Sequence, residues 1–366
     1  IYMSIFLTNS IGDNVVSALT SMNLWTAICK SIFIILLGFF LAKKGIFKEG
    51  TGKTLTKVVM TVALPCLAFT SFMSNITQET FTSAIFAFVW GFIIYILFML
   101  LAKLLFIWEK DPTKRIVMEI LFTFGSTTFF GQPLISAVFP NAFNDSNMFN
   151  VAYRVFLYSY AYIAISGDKF EKSSIGPTLK KIFLNPIIIA TGLGFVLWAL
   201  QLIPGSYDEA SWWTIKMSNT VASFWRIDVS APWLFQTMKT LGSLASPLVW
   251  LAIGCTLAKI SFKEAASDKK AWIYCGIKLI AGPVINLLLL LLINATMIKV
   301  TFNVVAATTL MWAVPPATVA VSYCINADKE ATFASNCSLL GTLTSVVFIP
   351  VYMIILTLLQ NAAIFG

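Results

Sequence analysis

Two stretches hold most of the polar chemistry that this sequence places inside long apolar runs: FTFGSTTFFGQPLISAVFP (122–140) and TLMWAVPPATVAVSYC (309–324). In the first, Ser126, Thr127, Thr128, Gly131 and Gln132 lead up to Pro133. In the second, Pro315 and Pro316 stand together, with Thr318, Ser322 and Tyr323 behind them. Proline removes a backbone donor and clashes with the preceding turn, so each stretch predicts an interrupted helix. An interruption leaves N–H groups unpaired at the start of the next helical segment, and their partial positive charge attracts an anion. Hydroxyls and the Gln132 amide can replace the water that a polar solute sheds, while glycine lets another backbone come close. A gap in the ladder costs on the order of several kcal/mol in plain hydrocarbon, so protein, water or a ligand must supply partners there. A single proline would read as a packing kink. A matched pair, one of them doubled, reads as a binding site.

Charge adds to this picture. Arg154 falls about 8 Å inside its apolar run at 1.5 Å per residue, where it can either clamp a carboxylate or snorkel outward. Lys30 and Lys278 lie within apolar runs as well, suited to snorkelling or to bonding a backbone carbonyl. Glu119, four residues after Arg115 near the end of its run, fits an ion pair there, and no Asp or Glu is expected at midmembrane. The chain has no histidine, which removes the commonest general base, zinc ligand and proton shuttle. Its six cysteines lie singly in apolar runs with no CxxC pair and read as core residues. No catalytic set, metal site or cofactor is expected.

These residues must be positioned by membrane helices. The 366 residues are 58% hydrophobic and 11% charged, with mean hydropathy +0.85, more apolar material than one soluble core can hide. Windows of about twenty residues give ten spans near 23–42, 55–73, 82–107, 115–139, 149–167, 182–203, 236–259, 271–293, 303–324 and 332–359. The net charge of +9 does not point to nucleic acid, because the basic residues cluster in short loops between spans. Those loops follow the odd-numbered spans and are therefore cytoplasmic; the other side holds only Lys216, Arg226, Lys239 and Lys299. Both termini then face outward from a cell membrane. The segment 204–233, with Trp212, Trp213, Trp225 and Trp233, suits an outer strip lying along the headgroups, with a substrate-gating flap as the other reading. Three sequons (75–77, 144–146 and 294–296) fall in predicted outer loops.

Internal symmetry organises the spans. Pro65 and Pro133 are separated by the same number of residues as Pro247 and Pro315. With an odd number of spans per half, the second half (181–366) must insert upside down relative to the first (1–180). That is the inverted repeat of many secondary transporters, whose broken helices meet near the midplane.

The sequence resembles the auxin efflux carrier superfamily, which includes plant PIN-type exporters and bacterial malate and malonate permeases. The residues that carry the resemblance are GFFLAKKGIF (38–47), ALPCLAF (63–69), GSTTFFGQPLI (125–135), NPIII (185–189), LGSLASPLVWLAIGCTLAK (241–259) and VPPATVAVSY (314–323). The resemblance implies an all-α polytopic membrane protein of ten transmembrane helices in two inverted five-helix repeats. Helices 4 and 9, broken at their prolines, cross near the midplane beneath an organic anion. It also implies an elevator movement of a transport domain against a scaffold of helices 1, 2, 6 and 7. Ser126 stands where the family pattern often has Asn, and Gln132 where it has an apolar residue, which leaves the ligand's identity open.

The function expected is transport of a small organic anion such as malate, without enzymatic activity. Its substrate site is drawn from Ser126, Thr127, Thr128, Gly131, Gln132, Pro133, Arg154, Pro315, Pro316, Thr318, Ser322 and Tyr323. An auxin-like aromatic acid, a sodium-coupled solute and a non-transporting receptor with the same pocket are the alternatives. The partners expected are the anion and the lipid bilayer, with room for a homodimer through the scaffold.

Overall fold

The structure, a computed structural model, describes residues 22–166, 184–208, 211–216, 221–258 and 265–365. The loop signal at 167–177 and the first half of the one beginning at 259 lie outside the described residues. Backbone in lipid must satisfy its own hydrogen bonds, and each apolar run accordingly forms helix. The first span is α1 (Met22–Lys43), followed by α2 (Thr51–Thr70) and α3 (Gln78–Leu105). The fourth predicted span divides into α4 (Pro112–Thr123) and α5 (127–138), and the fifth is α6 (143–166). Then come α7 (Pro186–Leu200), the short α8 (Ile227–Ser230), α9 (Pro232–Ser243) and α10 (Ala245–Leu257). The chain ends with α11 (Lys269–Asn294), the pair α12 (Phe302–Trp312) and α13 (Thr318–Asn326), and α14 (Ala331–Asn361).

Each predicted span is thus occupied by one helix or by two in succession. Among the described residues, five helices are long and apolar enough to cross a membrane: α2, α3, the joined α9–α10, α11 and α14. The paired segments α4–α5 and α12–α13 fall short because each is interrupted, and α6 because it carries Asp, Asn and Arg.

Local chemistry sets many of the ends. Thr77 and Thr80 form a reciprocal cap on α3, and Asp111 accepts from Thr113 N and Lys114 N ahead of α4. Asn185, Asp268 and Thr301 cap α7, α11 and α12 in the same way. Pro112 and Pro186 open their helices where no backbone donor is needed.

The interior prolines behave differently from expectation. Pro65, Pro133 and Pro283 each follow directly on a widened π turn (59–63, 127–131 and 277–281) and continue the helix. The wider turn relieves the proline ring and skips the hydrogen bond its nitrogen cannot make. Helix 4 is therefore not broken at Pro133. Its break is at Phe124–Ser126, where Phe124 is extended (φ −105, ψ 97). In helix 9 the interruption does fall on Pro315 and Pro316, between Trp312 and Thr318.

A second correction concerns α6, which begins earlier than hydropathy suggests and carries Asp145 and the 144–146 sequon into its first turn. Asp145 is buried and accepts from Ser83 Oγ at 2.7 Å, so a carboxylate does lie inside the helix bundle. Segment 204–233 contains an antiparallel hairpin, β1 (Thr214–Lys216) on β2 (Val221–Ser223). Trp212 and Trp233 are strongly exposed there, as an interfacial strip requires.

Two buried apolar clusters organise the bundle. The smaller joins Ile35 of α1, Val59, Ala63 and Leu64 of α2, Ile187 of α7 and Val249 and Trp250 of α10. The larger joins α3, α4, α5, α6, α11, α12, α13 and α14 and also takes in Trp198 of α7 and Phe72 just after α2. Within the smaller cluster α1 and α10 pack backbone to backbone: a Cβ on Gly254 would collide with Ile35 O, and one on Gly38 with Leu251 O. Small residues permit this close approach in membrane helices. Gly254→Ile is expected to cost about 1–3 kcal/mol by overpacking, seen as a lower thermal midpoint in detergent. Gly192→Ala, on α7 with nothing within 4 Å, leaves the midpoint unchanged.

Candidate functional site

The two interruptions meet. Gly125 and Pro316 form an isolated antiparallel β-bridge, with Ser126 N donating to Pro315 O at 2.7 Å and Ala317 N to Phe124 O at 2.9 Å. Each break supplies the backbone partner that the other lost. Gly125 is required by this contact, because a Cβ there would lie 2.7 Å from Val314 Cγ2.

The bridge places two helix starts side by side, α5 after Ser126 and α13 after Ala317. Neither start has a side-chain cap, in contrast to those at Thr77, Asp111, Asn185, Asp268 and Thr301. Their first-turn N–H groups carry the positive ends of the helix dipoles. Ser126, Pro315, Pro316 and Thr318 line a cavity of about 560 Å³. Its other walls come from Lys53 and Thr56 of α2, from α10 residues including Val249, and from Ser338 and Thr342 of α14. The cavity thus lies between the two apolar clusters, with a lysine on its wall.

Thr127, Thr128, Gln132 and Arg154 gather between α5 and α6, outside the lining of this cavity. Thr127 Oγ1 donates to Asn150 Oδ1 at 2.7 Å, Asn150 Nδ2 to Thr128 Oγ1 at 3.1 Å, and Arg154 Nη2 to Thr128 Oγ1 at 3.4 Å. Gln132 Nε2 donates to Asn147 Oδ1, whose Nδ2 reaches Ser71 Oγ at 3.3 Å. Arg154 is 1% exposed, so it does not snorkel, and no acid pairs with it among the described residues. Its Nη1 and the Gln132 Oε1 are buried without a hydrogen-bond partner. Such groups are costly unless something pairs with them.

The twelve expected residues therefore divide. Gly131 packs on Met311 Sδ, and Pro133 O accepts from Ser246 Oγ of α10 at 3.0 Å. Tyr323 stands edge-on to Tyr162 at 5.3 Å, outside the cavity walls. The side chain of Ser322 lies outside the described residues. Asn147 and Asn150 were missed by sequence reasoning, although their spacing to Arg154 (i, i+3, i+7) marks one polar helix face. Lys278 bonds a carbonyl, Phe122 O, whereas Lys30 is exposed on α1. Arg115 pairs with Glu119 at 3.7 Å as its spacing suggests.

If the Thr127–Asn150 bond holds α5 against α6, Asn150→Leu and Thr127→Val each lower the thermal midpoint, and the double variant is less destabilised than their sum. A coupling of about 1 kcal/mol is expected from such a buried bond. Strict additivity would mean that the two side chains act independently.

No curated protein matches the chain. The family described as membrane transport protein (Mem_trans), which comprises the auxin efflux carriers and PIN-like proteins, matches residues 24–353, nearly the whole length. Several apolar helices of membrane-spanning length accompany that match, as a multi-pass protein requires. The chain belongs to this family of membrane transporters.

Proposed function

We propose that the protein is a secondary transporter of small organic anions, with a dicarboxylate such as malate as its substrate class. The observation that carries this reading is the pair of uncapped helix starts that the Gly125–Pro316 bridge holds together beside the cavity. Two positive helix ends, the hydroxyls of Ser126 and Thr318, and Lys53 at the wall suit a ligand with negative charge at each end. The cavity volume falls within the range of small-molecule sites, about 300–1,000 Å³.

In this reading the chain crosses a cell membrane ten times as two inverted five-helix repeats, with both termini outside. The smaller apolar cluster, α1, α2, α7 and α10, is the scaffold, and the larger cluster is the transport body that slides against it. Lys53, an exposed residue of the cavity wall, lies on the predicted cytoplasmic side, and this reading takes that side as the cavity's mouth. Hydroxyl contacts such as Ser246 Oγ to Pro133 O span the two bodies. Contacts of that kind can be exchanged during sliding at little cost.

The buried Arg154–Gln132 layer has a supporting part. Arg154 stands behind the first turn of α5 with an uncompensated charge, which raises the positive potential at the helix start. Its spare Nη1 and the spare Gln132 Oε1 give the layer donors and acceptors to exchange as the body moves.

Proteoliposomes loaded with purified protein should take up labelled malate. Arg154→Ala and Gln132→Ala should each lower that uptake, by about tenfold for the arginine, with thermal midpoints that still report a folded protein. Unchanged uptake in both variants would remove this layer from the mechanism. A set of carboxylates tested by thermal shift, where a ligand of the folded state raises the midpoint, ranks the substrates.

A further inference from the structure

The break has a negative side as well as a positive one. α4 and α12 both end there, at Thr123 and Trp312, so two sets of unpaired carbonyls converge, each equivalent to about half a negative charge. Their sum is close to one elementary charge. An ammonium group stands among them. Lys278, in the wide turn 277–281 of α11, is fully buried, and its Nζ donates to Phe122 O in the last turn of α4. The same Nζ lies 5.6 Å from the Phe122 ring centroid and 5.3 Å from that of Trp312, the last residue of α12. A Cβ on the bridge residue Gly125 would come within 3.2 Å of it. One cation therefore bonds the end of α4, lies beside the side chain that ends α12 and approaches the bridge, and no carboxylate pairs with it among the described residues.

Half-helix C-termini and unwound carbonyls of this kind are where transporters with broken helices coordinate a coupling alkali cation. We propose that Lys278 is a tethered replacement for that cation: its ammonium occupies the place a sodium ion would need, so the anion cycle runs without sodium. It is a positioning residue, acting through the two helix ends it neutralises. Without it, their negative charge would oppose an anion on the opposite side of the bridge. The transport consequence rests on the anion reading above, whereas the cation site itself does not.

The test separates the two. The thermal midpoint of the purified full-length protein is measured in sodium chloride and in choline chloride at equal ionic strength. The wild type should unfold at the same temperature in both. Lys278→Ala, which removes the charge and opens space, should be less stable in choline and regain stability in sodium or methylammonium chloride. In the uptake assay, Lys278→Met should lose about tenfold while Lys278→Arg retains most activity. A wild-type midpoint that rises with sodium overturns the proposal, as does a Lys278→Met protein with wild-type stability and uptake. If Lys278→Ala does not fold, the wild-type salt comparison and the Met and Arg pair decide. Sodium-indifferent stability with no uptake of any carboxylate would sink the anion reading and leave the cation assignment standing.

Discussion

Two backbone hydrogen bonds, Ser126 N to Pro315 O and Ala317 N to Phe124 O, are the contact on which the rest of this molecule depends. Interrupting one helix inside a membrane strands several donors and acceptors, and water is not there to take them. Interrupting two helices at the same place lets each strand satisfy the other. The geometry follows from residue type: Gly125 has no side chain to hold the strands apart, and the Pro315–Pro316 pair cannot continue a helix. The remaining helices then pack so that this small patch of extended backbone stays buried.

The bridge also sorts charge. Four helix ends converge on it, two positive and two negative, and the sequence places near each kind a buried cation that no acid pairs with among the described residues. Lys278 bonds Phe122 O at the end of α4 and lies beside the Trp312 ring at the end of α12, whereas Arg154 backs the amide end of α5 through Thr128. Buried cations without acids are expensive, and in membrane proteins they mark function. Here their partners are the backbone's own dipoles and, in the reading proposed, the substrate. Asp145 lies apart from both, tied to Ser83, which in turn meets Thr301 at the start of α12.

Much of this was legible in the sequence because hydrophobic runs and loop breakers are local signals. All ten predicted spans contain helix, and the polar clusters at 125–132 and 314–323 do surround the breaks. What failed was proline as a marker of where a helix stops. A π turn ahead of Pro133 absorbs the ring, and the stop moves back to Phe124–Ser126, where the backbone pairs with Pro315–Ala317 from a distant part of the chain. Arg154 stands out by its charge, yet Asn147 escapes because polarity pushes the hydropathy window off the start of α6, and Asn150, inside the predicted span, carries no charge to mark it. The grouping of site residues into a cavity set and a buried layer could not be read at all. It depends on which face of α5 meets α6, a tertiary contact that no local spacing encodes.

The transport function proposed stands on two interrupted helices, joined backbone to backbone, presenting uncapped amides to an anion. Electron cryo-microscopy of the protein in lipid nanodiscs with malate tests it most directly. The expected map has helices that stop at Thr123 and Trp312, a paired Gly125 and Pro316, and density for the anion within hydrogen-bonding reach of Ser126 and Thr318. Continuous helices through 124–126 and 313–317, or an anion bound away from the bridge, would contradict it.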